Sequence, residues 1–491
     1  MSNLIQLSVK DGAFSVHGTQ TFEKCIDPLT SPSSDHSVGH SMVASWKFDG
    51  RCLRVSSDRL GLIPVFVYQH DNTIAVSDDL ARLLSVIPSQ KLDTAALSIF
   101  LRLGFFLGND TPFQNVTMLP PATTLHWRGD EIRLEENDYA PPARREESRE
   151  VAVAEYERLF ASSMARRVAN DQRITLPLSG GRDSRHILFE LARIGHLPIE
   201  TITAGRPGPG SDLSTASRLA AHFGLENRVV EITNSRWIER EREKNRLTHC
   251  LSYEHGWYLG VQQAMHEDAN IVYDGIGGDV LSNGLFFDGD LMMEMKCGRF
   301  VDAARRLLVW TDSIYLRKKM RTEISYEVAV ARLARELARH GQMPDPVKSF
   351  YFWNRTRREI ALSPICIAAL NRQISLPYLD AELFDFLMGL PGERFGRPGF
   401  HDETIRKVNP IEIPYSSKAA DGGSVKGNAR MTARILHFLF LQRGLQYCDL
   451  RFALPRIARA ALFGGGQELW WIADLIYLES TRKCSGGRLE M

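Results

Sequence analysis

The chain carries almost no net charge. Its 491 residues sum to +1 with histidine neutral, which excludes the global positive field of a nucleic-acid binder and implies no acidic solvating tail. Cysteine is scarce: seven residues, an odd number, with no Cys-x-x-Cys pair. Neither a disulfide framework nor a zinc site is expected from that. No run approaches the ~20 apolar residues of a membrane span, and the opening Met-Ser-Asn-Leu-Ile-Gln-Leu lacks the basic and long apolar regions of a signal peptide. No Gly-x-x-x-x-Gly-Lys occurs, so the usual nucleotide loop is absent. There is no internal repeat and no low-complexity tract. What remains is an ordinary globular composition, 44% hydrophobic and 24% charged, with length for about two to four domains. A soluble cytoplasmic protein is expected, with no nucleic-acid partner and no membrane span.

Residues 1–140 read as short strands between turns. Cys52–Ser57, Pro64–Tyr68 and Thr73–Ser77 carry β-branched and aromatic residues between Gly, Asp and Asn breakers. Helices are predicted over Asp79–Leu84 and Thr94–Leu103. Residues 141–150, Pro-Pro-Ala-Arg-Arg-Glu-Glu-Ser-Arg-Glu, look like a linker passing into a helix. From residue 151 strands alternate with helices, which favours a parallel sheet. The strands are placed at 172–178, 199–204, 228–232 and 270–274, and the helices at 184–194, 212–223 and 256–267. Beyond residue 290 the chain reads as helical, over 299–310, 325–340, 350–373, 381–389 and 429–445.

The most informative stretch is Ile174–Glu190. An apolar strand runs into Ser179-Gly180-Gly181, and Asp183-Ser184 then opens an amphipathic helix. Glycines let backbone approach an anion without Cβ interference, and a helix N-terminus attracts phosphate. Ser179 and Ser184 supply hydroxyl donors, and Asp183 supplies the hard oxygen that Mg²⁺ prefers. The plain structural alternative is a tight strand-to-helix turn with a serine cap. The stretch resembles the Ser-Gly-Gly-x-Asp-Ser pyrophosphate loop of ATP pyrophosphatases, which cleave ATP to AMP and pyrophosphate.

Four further segments, in order, make the chain similar to the asparagine synthetase family over most of its length. Asp58-Arg-Leu-Gly-Leu-Ile-Pro64 with Ser77-Asp-Asp-Leu80 resembles a segment of the family's amidotransferase domain, and Gly205–Ala216 with Ser211-Asp212 resembles the segment after the second strand. Asp274-Gly275-Ile276-Gly277-Gly278-Asp279 resembles the second glycine loop, whose closing aspartate holds Mg²⁺ and pyrophosphate. Leu376-Pro-Tyr-Leu-Asp380 resembles a motif of the helical region. The resemblance implies an α/β chain. An Ntn-hydrolase-like α+β sandwich (1–140) precedes a linker (141–150) and a parallel-sheet ATP-pyrophosphatase domain of the PP-loop, HUP-like kind (151–491) with a helical C-terminal part.

It also implies ATP and Mg²⁺, with Asp183 and Asp279 as metal ligands. Both follow predicted strands, so both reach the carboxyl edge where α/β sheets bind ligands. Thr203-Ala204-Gly205 offers backbone groups to adenine, or else simply ends a strand. The family places a lysine on pyrophosphate late in the chain. Lys418, in a Ser/Gly-rich stretch, is the candidate, with Lys407 and Lys426 as rivals. Arg182 and Arg185 flank the loop, and His186 is expected to pack within its helix.

Two departures change the expected function. Glutamine-hydrolysing members expose a cysteine after Met removal, as thiol nucleophile and α-amine base together; here Ser2-Asn3-Leu4 stands in that place. Cys25 lacks the family's following glycine and reads as a plain thiol. Ile276 stands where asparagine synthetases have glutamate and β-lactam synthetases tyrosine, at a position that helps deprotonate the attacking amine. Tyr253, Glu254 and His255 are near in sequence, and a histidine could serve from its ordinary pKa of ~6.5. The expectation is an ATP-dependent ligase that adenylates a small-molecule or peptide carboxylate and couples it to an amine without its own glutaminase. β-Lactam synthetases and lasso-peptide cyclases resemble this pattern, which implies lactam-type cyclisation, a precursor peptide and a partner processing enzyme. The alternatives are an ammonia-using asparagine synthetase, a catalytically degenerate nucleotide- or protein-binding partner, and another pyrophosphatase-loop reaction such as tRNA thiolation or NAD synthesis, against which the N-terminal domain and the lack of paired cysteines or a basic field speak.

Overall fold

Period-two alternation of apolar residues governs the N-terminal part. In the computed structural model the described residues are all except 1–2, 11–12, 30–41, 89, 130, 137–141, 170, 233–235, 309–314, 410, 417–428, 442–443, 464–470, 487–488 and 491. The first strands are Leu4–Lys10 (β1), Ala13–Gly18 (β2), Thr21–Ile26 (β3), Met42–Phe48 (β4), Leu53–Ser56 (β5), Phe66–His70 (β6), Thr73–Ser77 (β7), Gln90–Lys91 (β8), Val116–Met118 (β9), Thr123–Trp127 (β10) and Ile132–Glu136 (β11). They form two antiparallel five-stranded sheets, ordered β2-β1-β7-β6-β9 and β11-β10-β5-β4-β3.

Ile5, Leu7, Val67, Ile74 and Val76 of the first sheet share one buried cluster with Trp46, Val55, Leu125 and Trp127 of the second. The alternate positions Leu4, Phe66, Tyr68 and Ala75 are buried instead against the helices Leu80–Val86 and Thr94–Leu103. Each helix starts at an aspartate cap, with Asp79 accepting from Arg82 N and Asp93 from Ala96 N. The helix Trp471–Cys484 joins this second cluster, with Tyr477 stacked on Phe100 at 4.1 Å. Leu489–Glu490 then pairs with β8.

Ile174–Pro177 (β12), Glu200–Gly205 (β13), Asn227–Glu231 (β14), Ile271–Tyr273 (β15) and Gln373–Ser375 (β16) form a parallel sheet ordered β14-β13-β12-β15-β16. The chain adds strands to one side of β12 and then crosses to the other, so the topological switch lies between β12 and β15. The fold is therefore α/β: an antiparallel sandwich, a parallel sheet and a helical C-terminal part. Among the described residues no helix is long and apolar enough to cross a membrane.

The stretch 350–373, expected as one helix, is several elements. Pro346–Tyr351 is α-helical, Phe352–Ile360 widens into a π-helix, Pro364–Ala368 forms another, and the chain leaves as β16. The wide turns bury Asn354, Arg357, Arg358 and Glu359, polar groups that cannot be buried without partners. The N-terminal part supplies several of these partners. Asn354 accepts from Gly108 N at 2.7 Å, Arg357 donates to Gly108 O at 2.7 Å, and Arg358 donates to Asp110 O and Met118 Sδ.

A buried ion cluster also joins the parts. Arg167 is 1% exposed and sits between Asp27 at 2.6 Å and Asp380 at 2.9 Å. Burial pulls against the charged guanidinium, but Asp27 and Asp380 override it and hold Arg167 above its ordinary pKa.

Asp474, inside the helix Trp471–Cys484, is buried and accepts from Tyr315 Oη at 2.6 Å. Burial pushes its carboxyl up to about 7. The native state thus holds a proton that the unfolded chain releases near pH ~4, so stability falls as pH rises between those values. Asp474→Asn is expected to flatten that part of the slope in melting temperature against pH. An unchanged slope would mean that Asp474 is already ionised in the native protein.

Candidate active site

The loop after β12 is braced from three sides. Ser179 N donates to Ser184 Oγ at 3.0 Å, and Gly181 N donates to Ser179 Oγ at 3.1 Å. Gly180 N donates to Asp212 Oδ1 at 2.9 Å, so the acid that opens the next helix holds this loop. Ser416 completes the brace, its N–H on Gly180 O at 3.0 Å and its hydroxyl on Asp212 at 2.6 Å. A Cβ at Gly180 would meet Ser416 Cβ at 2.5 Å. Glycine is needed here for close packing. No side chain caps the N-terminus of the helix Asp183–Arg193, which leaves its dipole facing an incoming anion.

The second loop follows β15 and closes on the first. A Cβ at Gly275 would meet Asp183 Cβ at 2.7 Å, and one at Gly278 would meet Asp183 Oδ1 at 2.6 Å. These two glycines allow the Asp183 side chain to enter between the loops. Gly277 adopts φ +93°, and a Cβ there would meet Leu379 at 2.7 Å. The Asp279 backbone N–H reaches the Asp183 carboxylate. Burial, then the charges of Asp279 and Asp274, push Asp183 well above the ordinary carboxylate range. Asp183 Oδ1 is buried without a hydrogen-bond partner. Carboxylates crowded against one cavity suit a hard divalent cation, which Asp183 and Asp279 would hold.

A cavity of about 730 Å³ opens over both loops and is lined by Ser179, Asp183, Ser184, Gly205, Ile276 and Asp279, among others. From β13 the wall takes Ile202 and Ala204. Thr203 points to the opposite face, donating to Leu178 O at 2.8 Å and to Asn227 at 3.0 Å.

The candidate cations differ in placement. Lys418 and Lys426 lie outside the described residues. Lys407 is half-exposed on the helix Phe400–Val408, 3.9 Å from Glu157. Arg182 is forked onto Asp402, and Arg185 donates to Ile413 O at 2.6 Å. Both guanidinium groups lie 4.2 Å from the Tyr415 ring centre, so they pin Ile413–Ser416 to the loop. His255 lines the cavity at φ +65°, and burial pulls its imidazole down to about 4. Glu254 pairs with Arg355 at 2.9 Å, while Tyr253 sits against Phe100. Cys25 lies inside β3 opposite Val43 on the exposed side of the strand, and partial desolvation, then Asp27 and Glu23, raise its thiol pKa.

Three features had no local signal in the sequence. Tyr258 Oη donates to Asp274 at 2.5 Å in the cavity wall. Arg355, Thr356 and Ile360 reach the cavity from the π-helix. Behind Asp183, His186 stacks on Phe160 at 3.8 Å and meets His401 and Tyr378.

Residues 155–407 match the family model described as asparagine synthase, and residues 33–140 match one described as a glutamine amidotransferase domain. No curated protein sequence matches the chain. Similar solved structures include an allosteric regulatory enzyme of purine biosynthesis, 8% identical over 39% of this chain and 47% of its own, TM-score 0.14. Another is the glutamine phosphoribosylpyrophosphate amidotransferase from B. subtilis complexed with ADP and GMP: 9%, 46%, 47% and 0.14. A third is the U34-tRNA thiolase NcsA from Methanococcus maripaludis with its 4Fe-4S cluster: 16%, 54%, 82% and 0.19. The chain spans about half the length of the first two.

Gly278→Ala is expected to drive the Asp183 carboxylate out from between the loops. Calorimetric titration with Mg·ATP should show affinity lower by about tenfold, ~1.4 kcal/mol, with little change in melting temperature. Unaltered affinity would remove Asp183 from the metal assignment.

Proposed function

The chain belongs to the asparagine synthase family, whose members are ATP-dependent amide-forming ligases, and on that premise we propose that it adenylates a carboxylate and couples it to an amine without glutaminase of its own. The observation that carries this reading is the convergence of Asp183 and Asp279 beneath one cavity at the switch point of the parallel sheet. The substrate carboxylate attacks the α-phosphorus of ATP, and the bond to the β-phosphate oxygen breaks to release pyrophosphate. Ser179, Ser184 and the uncapped helix N-terminus bind the departing phosphates. Asp183 and Asp279 would hold Mg²⁺, which would neutralise negative charge there. Lys418 follows the docked Ser416 by two residues, and that short tether supports it as the added cation. The backbone at Gly205 orients the nucleotide.

The amine then attacks the acyl carbon and AMP leaves. Within residues 1–140 cysteine occurs at 25 and 52. The raised thiol of Cys25, inside a paired strand, supports a scaffold role for this part rather than glutamine hydrolysis. Nitrogen then comes from free ammonia or from an amine of the substrate. Ile276, Leu285, Ile360 and Trp257 give the cavity an apolar wall beside the nucleotide loops. Such a wall suits an acid bulkier and less polar than aspartate, and so favours lactam or macrolactam closure of a peptide or amino-acid-derived substrate. If the substrate is a peptide, a precursor peptide and a partner processing enzyme are the partners this reading calls for. Family membership keeps ammonia-dependent asparagine synthesis as the second reading.

ATP–pyrophosphate exchange, screened over carboxylic acids and peptides, is expected to give a signal that Asp183→Ala or Asp279→Ala lowers by about 100-fold or more. Mass spectrometry should then show loss of one water from the accepted substrate. Conversion of aspartate and ammonium to asparagine would select the second reading. Glutamine hydrolysis blocked by a thiol reagent would overturn the scaffold role of residues 1–140.

A further inference from the structure

A metal-binding carboxylate has to be aimed as well as admitted. Asp183 stands on the first turn of its helix, and the glycines of the second loop make room for it without holding its Oδ1. What lies behind that oxygen is His401, fully buried on the helix Phe400–Val408, with Nδ1 3.5 Å from Asp183 Oδ1. Among the described residues neither atom has a hydrogen-bond partner, so each is free to turn to the other.

The far side of the ring is engaged. His401 Nε2 lies 3.1 Å from Tyr378 Oη and 3.2 Å from His186 Nδ1. Tyr378 Oη is also 3.3 Å from the backbone oxygen of Asp183. With Nε2 accepting, the proton of a neutral imidazole is assigned to Nδ1, the atom facing Asp183. Tyr156 at 5.5 Å and the stacked His186–Phe160 pair fix the ring planes around it. Nothing else in the function described above uses His401, His186 or Tyr378.

We propose that His401 is a positioning residue for the Mg²⁺ site: its Nδ1–H steadies one oxygen of Asp183 so that the other faces the cation, while Tyr378 and His186 hold the imidazole in that tautomer. Hydrogen-bond donors behind a ligating carboxylate tune metal affinity in this way. The proposal rests on Asp183 being a ligand, and the experiment separates the two claims.

Mn²⁺ serves as the probe, titrated with α,β-methylene-ATP into the full chain and followed by electron paramagnetic resonance. His401→Leu is expected to weaken Mn²⁺ binding by about tenfold. His401→Asn, whose amide nitrogen stands near the Nδ1 position, should restore affinity to within about threefold of wild type. His401→Gln keeps a polar group near Nε2 and none at Nδ1, so it should bind as weakly as the leucine variant. Metal-free melting temperatures identify any variant that has lost its fold. A folded His401→Leu or His401→Gln protein with wild-type Mn²⁺ affinity would overturn the positioning role. Asp183→Asn is the control for the site itself. If it binds Mn²⁺ as wild type does, the ligand assignment fails and the role of His401 falls with it.

Discussion

Arg167 is the interaction on which the arrangement of the candidate site depends. It is sealed between Asp27, at the end of β3, and Asp380, which closes the Leu376–Asp380 turn. Asp27 also accepts from Leu376 N at 3.0 Å, so one carboxylate grips the guanidinium and the turn together. Removing one member of a buried ion cluster strands the rest, at about 3–5 kcal/mol. The turn carries Leu379 against Gly277 and Tyr378 against the Asp183 backbone. The Arg167 pairing thereby fixes the turn that packs on both loops.

The π-helix gives the N-terminal part a second hold on the site. Its buried face bonds Gly108 and Asp110 through Asn354, Arg357 and Arg358, while Arg355, Thr356 and Ile360 lie on the cavity wall. An ordinary helix turning every 3.6 residues would spread these side chains differently around its axis. The sandwich therefore buttresses this wall of the cavity through the π-helix, whatever chemistry it does or does not perform.

Local grammar made much of this legible. The Thr94–Leu103 helix and the 381–389 helix follow from apolar periodicity, and both glycine loops announce themselves as turns after apolar strands. Ser179 and Asp183 could be picked from that grammar and Asp279 from the family resemblance, and the structure brings them to one cavity. Contacts between distant segments could not be read. His401 reaches Asp183 across more than two hundred residues, and nothing in Phe400–Val408 marks a histidine that faces inward. β16 is three residues long, too short to show a period against the helical pattern that precedes it.

The packing of Tyr477 on Phe100 has a consequence for how the protein is made. The helices over the first sheet emerge early from the ribosome, yet their apolar cover is encoded near residue 477. At roughly 5–20 residues per second, that surface waits tens of seconds for its cover. The loop around Gly180 waits likewise for Ser416. The nascent chain thus carries an uncovered apolar face through most of its synthesis, and a chaperone that shields it is acting on a vulnerability written into the order of the elements.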